Sequence, residues 1–429
     1  MSEAHDGRAR RAWASLRKEM PPSIGGPDTH DDAEVAAMLR ELGIALLEVE
    51  QPTQLVAGRL INIGAHYTRH KVRVVALPTA LVVQVGSVGY EVEVSNRSTL
   101  QLDLAGRIDD IAELASVGAI TPVDVVTEIE AARAMRPRFG PVVTVIAYAV
   151  TTVGFGMVIN PTWAALPGYA FLGLVVGAVV LLGRPFPALN PILPTLSAAL
   201  ITMLATWFVA DAANDGLMRV ISPPLVAMLP GMSLTIGSME LASSEIVAGA
   251  SRLIYGVTQL MLLVFGVALG MHFAGRVPEQ APSTRMGDWA LYVAIVVVAV
   301  GLYVYLSAPK GSLFWLMAAI GVALIGQQVG GLALPASYSG AVGGFLVVPF
   351  AMLASRIKSS PPAIVMLLAA FWALVPGALS FVSLSEAATG GPATINTLGT
   401  TVAAIFSIAL GTLAGFSVFH AFTWPSRDG

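Results

Sequence analysis

The 429-residue chain contains no cysteine, which excludes disulfides, thiolate-held zinc and cysteine nucleophiles together. Charge is scarce as well: Asp, Glu, Lys and Arg make up 12% of the residues, against 55% hydrophobic ones, and the mean hydropathy is +0.74. A soluble domain carries about a quarter charged residues, so this is not the composition of one. The net charge of −3 is too small to argue for nucleic acid or an oppositely charged surface as partner. The N-terminal "MSEAHDGRARRAWASLRKEM" is basic but has no apolar h-region, so a secretory signal is not expected there. No glycine-rich phosphate loop and no nucleophile–base constellation stands out, so neither an enzyme nor a cofactor is implied.

The charge that exists is unevenly placed. Of 51 charged residues, 34 lie in the first 140 positions, which predicts a soluble head followed by a membrane body. Residues 1–30 read as a polar, poorly ordered tail. Residues 31–140 read as an α+β module on the cytoplasmic side. Val35, Met38, Leu39, Leu42 and Leu46 fall on one helical stripe, Pro52–Tyr67 is a second helix, and "KVRVVAL", "ALVVQVG" and "YEVEVSN" form a small antiparallel meander. Two further helices, around Leu104–Ser116 and Thr121–Arg136, follow. His66 and His70 lie four apart and suggest a pair of metal ligands. Arg69 beside them would repel a cation, and a solvated helix end is the better reading, so no metal is expected.

From Pro141 onward the chain offers ten apolar stretches of roughly the twenty residues a spanning helix needs: Pro141–Ile159, Ala164–Gly183, Pro194–Val209, Ile221–Leu241, Gly249–Phe273, Trp289–Ala308, Leu313–Gly330, Tyr338–Ala354, Pro361–Leu384 and Ile395–Phe419. With the head inside, the inner flanks hold Arg133, Arg136, Arg138, Arg184, Arg252, Lys310, Arg356, Lys358 and Arg427. The outer flanks hold only Arg219, Arg276 and Arg285. The bias puts both termini in the cytoplasm.

Two stretches break this apolar pattern: "LPGMSLTIGSMEL" (Leu229–Leu241) and "VPGALSFVSLSEA" (Val375–Ala387). One shift of 146 positions aligns Pro230-Gly231 with Pro376-Gly377 and Glu240 with Glu386. Two repeats of five spans, 141–274 and 287–420, must point in opposite directions because five is odd, which is the inverted repeat of secondary transporters. Proline lacks the N–H and clashes with the preceding turn, so each Pro-Gly breaks its helix. Freed backbone groups at that depth must face protein or a water-filled cavity. The half-helix after each break offers unpaired N–H groups to a substrate carboxylate, with Ser233, Thr235, Ser380 and Ser383 placed to bond a small polar substrate. Glu240 and Glu386 are candidate proton carriers, since ionisable groups at membrane depth are costly and functional by default. Glu240 could instead pair with Arg252. Gln327 and Gln328 are lesser candidates to line the path.

"LPGMSLTIGSMELASSEIVAGASRLIYG" (Leu229–Gly256) resembles the signature of the bacterial threonine/serine exporter family: Pro230-Gly231, then Thr235, Glu240 and Gly249-Ala250-Ser251-Arg252-Leu253. The head stretch "LLEVEQPTQLVAGRLINIGAHYTRHKVRVVALPTALVVQVG" resembles that family's cytoplasmic domain, although "LLEVEQPTQ" lacks a glycine before the second helix. The resemblance covers roughly residues 35–420. It implies a ten-span bacterial inner-membrane exporter of threonine and serine, driven by the proton gradient through alternating access. Its partners would be substrate, protons and lipid, with a homo-oligomer left open. Split two-subunit relatives are linked to dicarboxylates, so a succinate-type exporter is the rival reading, and a passive pore a further one.

Overall fold

The computed structural model describes residues 18–27, 29–89, 93–94, 100–209, 217–275, 284–374, 381–386 and 395–423. The chain divides into two compact units. One takes residues up to Arg136 together with 309–315 and 349–367; the other takes 137–308, 316–348 and 368–429.

The first unit opens with α1 (Asp32–Glu48) and α2 (Thr53–Tyr67). The expected stripe of α1, Val35 to Leu46, is fully buried, and Asp32 and Glu34 sit in its first turn, where acidic side chains favour the helix dipole. β1 (Val72–Leu77) and β2 (Ala80–Val85) pair antiparallel in register from Val72↔Val85 to Leu77↔Ala80. Two short pieces, β3 (Val88–Gly89) and β4 (Glu93–Val94), both pair with β2, giving the expected meander. Leu81, Val83 and Val85 of β2 are buried, the alternation of a sheet with one covered face. α3 (Leu102–Ser116) and α4 (Pro122–Arg133) follow. α4 is capped by Thr121, whose hydroxyl accepts from the Asp124 N–H at 3.2 Å, with Pro122 at the first helical position.

Two loops from later in the chain belong to this same unit. The backbone at Gly106 of α3 lies so close to Pro309, Pro362 and Val365 that a Cβ there would touch all three. The Lys18 N–H donates to the Arg356 carbonyl at 2.9 Å.

The second unit is helical: α5 (Pro141–Ile159), α6 (Leu166–Gly183), α7 (Leu193–Phe208), α8 (Leu217–Leu225), α9 (Gly231–Ala242), α10 (Ile246–Ala274), α11 (Trp289–Tyr305), α12 (Leu313–Ala333), α13 (Gly340–Ala354), α14 (Ala363–Leu374) and α15 (Ile395–Thr423), the starts of α12 and α14 and the end of α13 counting with the first unit. Among the described residues α5, α6, α10, α12 and the Val402–Phe419 part of α15 are long and apolar enough to cross a bilayer. Leu217–Met228 and Gly231–Ala242 pass together as one span bent by 68°. α7, α11, α13 and α14 are apolar but shorter. Eight of the ten expected stretches thus fall each on one apolar helix, and the fourth falls on the bent pair α8 and α9. The ninth, expected as one run, divides into α14 and a helical piece at 381–386, with 375–380 outside the described residues.

Close glycine contacts fix the directions of these helices. A Cβ at Gly154 of α5 would collide with Val298 of α11, and one at Gly301 of α11 with Thr151 of α5. As one number falls the other rises, so the two helices run antiparallel. A Cβ at Gly266 or Gly270 of α10 would collide with the carbonyl of Thr195 or Ala199 on α7, and those two run parallel. Gly411 and Gly415 of α15 stand in the same relation to the carbonyls of Ala341 and Phe345 on α13.

Candidate functional site

Pro223 and Pro224 lie inside α8 and supply no N–H to its hydrogen-bond ladder. The chain tightens into a 3-10 turn at Val226–Met228, and Leu229, preceding a proline, goes extended (φ −71, ψ 131). α9 restarts at Gly231, directly after Pro230. The break therefore lies where the Pro-Gly pair predicts it. The buried Tyr148 hydroxyl donates to the Pro224 carbonyl at 2.7 Å, satisfying an acceptor at the end of the helix, as a broken helix in an apolar setting requires.

Beyond the break, every residue from Ser233 to Glu240 is buried. This run carries Ser233, Thr235, Ser238 and Glu240, the last at 0% exposure. Ser238 donates back to the Leu234 carbonyl at 2.8 Å. The polar face of this half-helix is enclosed by protein and not by lipid. α10 returns against α9 after a tight turn in which Ser244 takes a positive φ of 69°. Gly237 and Gly249 let the two backbones touch: a Cβ on Gly249 would sit 2.7 Å from the Gly237 carbonyl. Across this seam the Arg252 Nε lies 3.2 Å from the Glu240 Oε2, both side chains at most 1% exposed.

Arg252 corrects one expectation. It was counted with the cations flanking the spans, but α10 begins at Ile246, which places Arg252 inside the helix and makes it the only buried Lys or Arg among the described residues. Ser383 is half-buried and Glu386 exposed on the 381–386 piece, so the carboxylate aligned with Glu240 sits in a different setting. Pro376, Gly377 and Ser380 lie outside the described residues. Gln327 is half-buried on α12 and Gln328 exposed. Gly231 and Glu240 are nine residues apart on α9, about 13.5 Å along the axis, so one threonine-sized molecule cannot touch both. Sequence reading missed Ser238 and Tyr148, and also the buried Asn160, whose side-chain amide donates to the Tyr169 hydroxyl at 3.0 Å. The turn prolines at 223 and 224 were the available signal for Tyr148.

In the first unit, α2 ends at Tyr67, so His66 and His70 do not share a helical face. The His70 Nδ1 lies 2.7 Å from the Asp32 Oδ2, and the Thr68 hydroxyl donates to the other oxygen at 2.9 Å. The His70 bond first, and the Thr68 bond second, hold the Asp32 carboxyl below its ordinary value of 3.8. A cavity of about 130 Å³ is lined by Thr29, His30, His66, Tyr67 and Thr121 among others. Burial pushes the Tyr67 hydroxyl up to about 12. Among the described residues no group of three His, Asp or Glu could hold a metal ion.

Residues 37–274 match the model of the ThrE family, described as "Putative threonine/serine exporter". The chain belongs to this family. The match takes in the broken span, the Glu240–Arg252 pair and most of the head. Curated relatives are fungal membrane proteins. Pheromone-regulated membrane protein 10 of Candida albicans is 26% identical over 269 residues, covering 58% of this chain and 24% of that protein. The protein of the same name in Debaryomyces hansenii is 28% identical over 175 residues, 38% of this chain and 17% of its own length. The one in Yarrowia lipolytica is 33% identical over 113 residues, 25% and 9%. The chain thus spans about a quarter or less of the length of these relatives. No solved structure matches it.

Proposed function

We propose that this membrane protein is a secondary exporter, not an enzyme, and that it moves the small hydroxy amino acids threonine and serine outward in exchange for protons. The observation that carries the reading is the buried polar run Ser233–Glu240 behind a 68° break in an otherwise apolar span. Polar half-helices of this kind are where secondary transporters hold substrates. Ser233 and Thr235 line the path, Ser383 faces it from the second half, and Gln327 stands at its edge. Glu240 carries the proton, with Glu386 the second candidate.

In this reading ten spans form two inverted five-span repeats that rock about the site. The repeated contacts support it. Gly266–Thr195 and Gly270–Ala199 recur as Gly411–Ala341 and Gly415–Phe345, displaced by 145 or 146 positions. The reciprocal contacts between Gly154 and Val298 and between Thr151 and Gly301 are what a two-fold axis across the helices produces. Antiparallel α5–α11 and α9–α10, with parallel α7–α10 and α13–α15, agree with strict alternation of ten spans. The loops carrying Lys310, Arg356 and Lys358 belong to the same unit as the head, in keeping with head, loops and both termini on the cytoplasmic side of a bacterial inner membrane.

The test is threonine flux in proteoliposomes under an imposed pH gradient, with succinate and leucine as comparators. Threonine flux that collapses with the gradient is the expected result. Arg252 also suits a dicarboxylate, so succinate moving in place of threonine would replace the substrate. Unsaturable flux indifferent to the gradient would mean a pore.

A further inference from the structure

We infer that the Glu240–Arg252 pair is the seat for the charged head group of a zwitterionic α-amino acid: the substrate carboxylate takes Arg252 and its ammonium takes Glu240. The inference rests on the transport reading above and names the residues that select the substrate. A buried ion pair is an expensive way to join two helices, because an apolar pair of similar volume often holds as well or better. Ionisable groups among apolar helices persist where they bind or carry charge. Here two full and opposite charges lie 3.2 Å apart, both at most 1% exposed, on the two arms of the hairpin that follows the broken span.

An α-amino acid carries the same two charges in the opposite sense. Inserting its head group replaces one ion pair by two and leaves the net charge of the site unchanged. A dicarboxylate would set its second carboxylate against Glu240, and like charges at such a site cost several kcal/mol. The backbone contact at Gly237 and Gly249 leaves little room beside the pair, which restricts side chains to small ones. The head group thus lies near the C-terminal end of α9, about 13.5 Å from its N-terminal N–H groups.

The same seat couples the two movements. A proton arriving on a Glu240 carboxylate oxygen removes the partner of the substrate ammonium, so proton and amino acid exclude one another. In this step hydronium gives up its proton to form one O–H bond on Glu240, leaving water, and the ion pair with the substrate ammonium breaks. Of the elements packed against α9, α10 contributes Arg252 and, twenty residues further along, His272. α15 carries His420 and no Asp, Glu, Lys or Arg. Glu245 in the turn and Glu386 on the 381–386 piece are exposed. Among the described residues Arg252 is the cation that faces Glu240.

The experiment is labelled-threonine counterflow in proteoliposomes of the full chain, with equal pH on both sides. The competitors are threonine methyl ester, which lacks the carboxylate, and 2,3-dihydroxybutyrate, which lacks the ammonium. Both are expected to compete at least about ten-fold less well than threonine, since a site built for a polar group rejects an analogue lacking it. Counterflow should weaken as the pH is lowered, and Glu240→Gln, which mimics the protonated carboxyl, should leave it weak at every pH. The analogue competition uses the unaltered protein and stands even if the variant fails to fold. If threonine exchanges but either analogue competes as well as threonine, the pair is structural and this inference falls while the exporter reading survives. If no amino acid exchanges at all, the exporter reading falls and takes this inference with it.

Discussion

In the first half of the helical unit, Gly266 and Gly270 of α10 press on the carbonyls of α7; in the second, Gly411 and Gly415 of α15 press on those of α13 in the same way. The likeness stops at the polar segments. Glu240 is sealed from solvent beside Arg252, whereas Glu386 is exposed, and the shift that aligns the two Pro-Gly pairs carries Arg252 to Leu398. The scaffold is repeated, but the shift puts a leucine where the cation stands. Packing constrains both copies through the distance at which backbones can approach. The charged side chain is not bound by that distance, so the halves can share a frame while differing at the position of the cation.

The largest expected effect tests that asymmetry. Arg252→Ala leaves a buried carboxylate without its cation and should cost about 3–5 kcal/mol, read as a lowered unfolding temperature of the purified protein in detergent. Glu386→Ala should stay within about 0.5 kcal/mol, as exposed substitutions do. Replacing Glu240 and Arg252 together by leucine should recover much of the stability and no transport. Equal losses for Arg252→Ala and Glu386→Ala would mean that the halves do not differ as described. Next comes Gly231→Leu, which should remove threonine flux while the protein still inserts into membranes; normal flux would show that the start of α9 is not part of the path. Gly270→Leu and Gly415→Leu sharpen the likeness instead. Each forces a side chain against a carbonyl and should cost about 1–3 kcal/mol, by a similar amount in the two halves.

The smallest effect lies in the head and serves as a control outside the comparison. His70 and Thr68 hold the Asp32 carboxyl below its ordinary value of 3.8. A depressed carboxyl adds stability above its unfolded value, and that stability is lost as the pH falls through the lower folded value. His70→Ala should therefore raise the pH at which the head loses structure in an acid titration below about pH 4, without changing flux at neutral pH.

Much of the fold was legible because it follows from local rules. The stripe from Val35 to Leu46, the β-branched runs of the meander and the Pro-Gly break at 230 each declare themselves in a few residues. The fate of Arg252 was not legible. Near the end of the expected Gly249–Phe273 span it reads as a flank, and only the packing of α10 against α9 shows it buried beside Glu240. The same limit applied to Glu240, since pairing and proton carrying demand the same residue type. The glycines at 266, 270, 411 and 415 could have been found from their shared four-residue spacing and 145-position offset. Their partners are backbone carbonyls, which leave no mark on a sequence.

The absence of cysteine makes the most direct test available. Cysteine placed singly at Ser233 or Thr235 can be probed with a membrane-impermeant maleimide from either side of the membrane. If α9 forms the transport site, these positions react from both sides in turn as the protein cycles, and threonine protects them. If neither position ever reacts from either side while the variants still transport, the buried polar half-helix is packing and not a path.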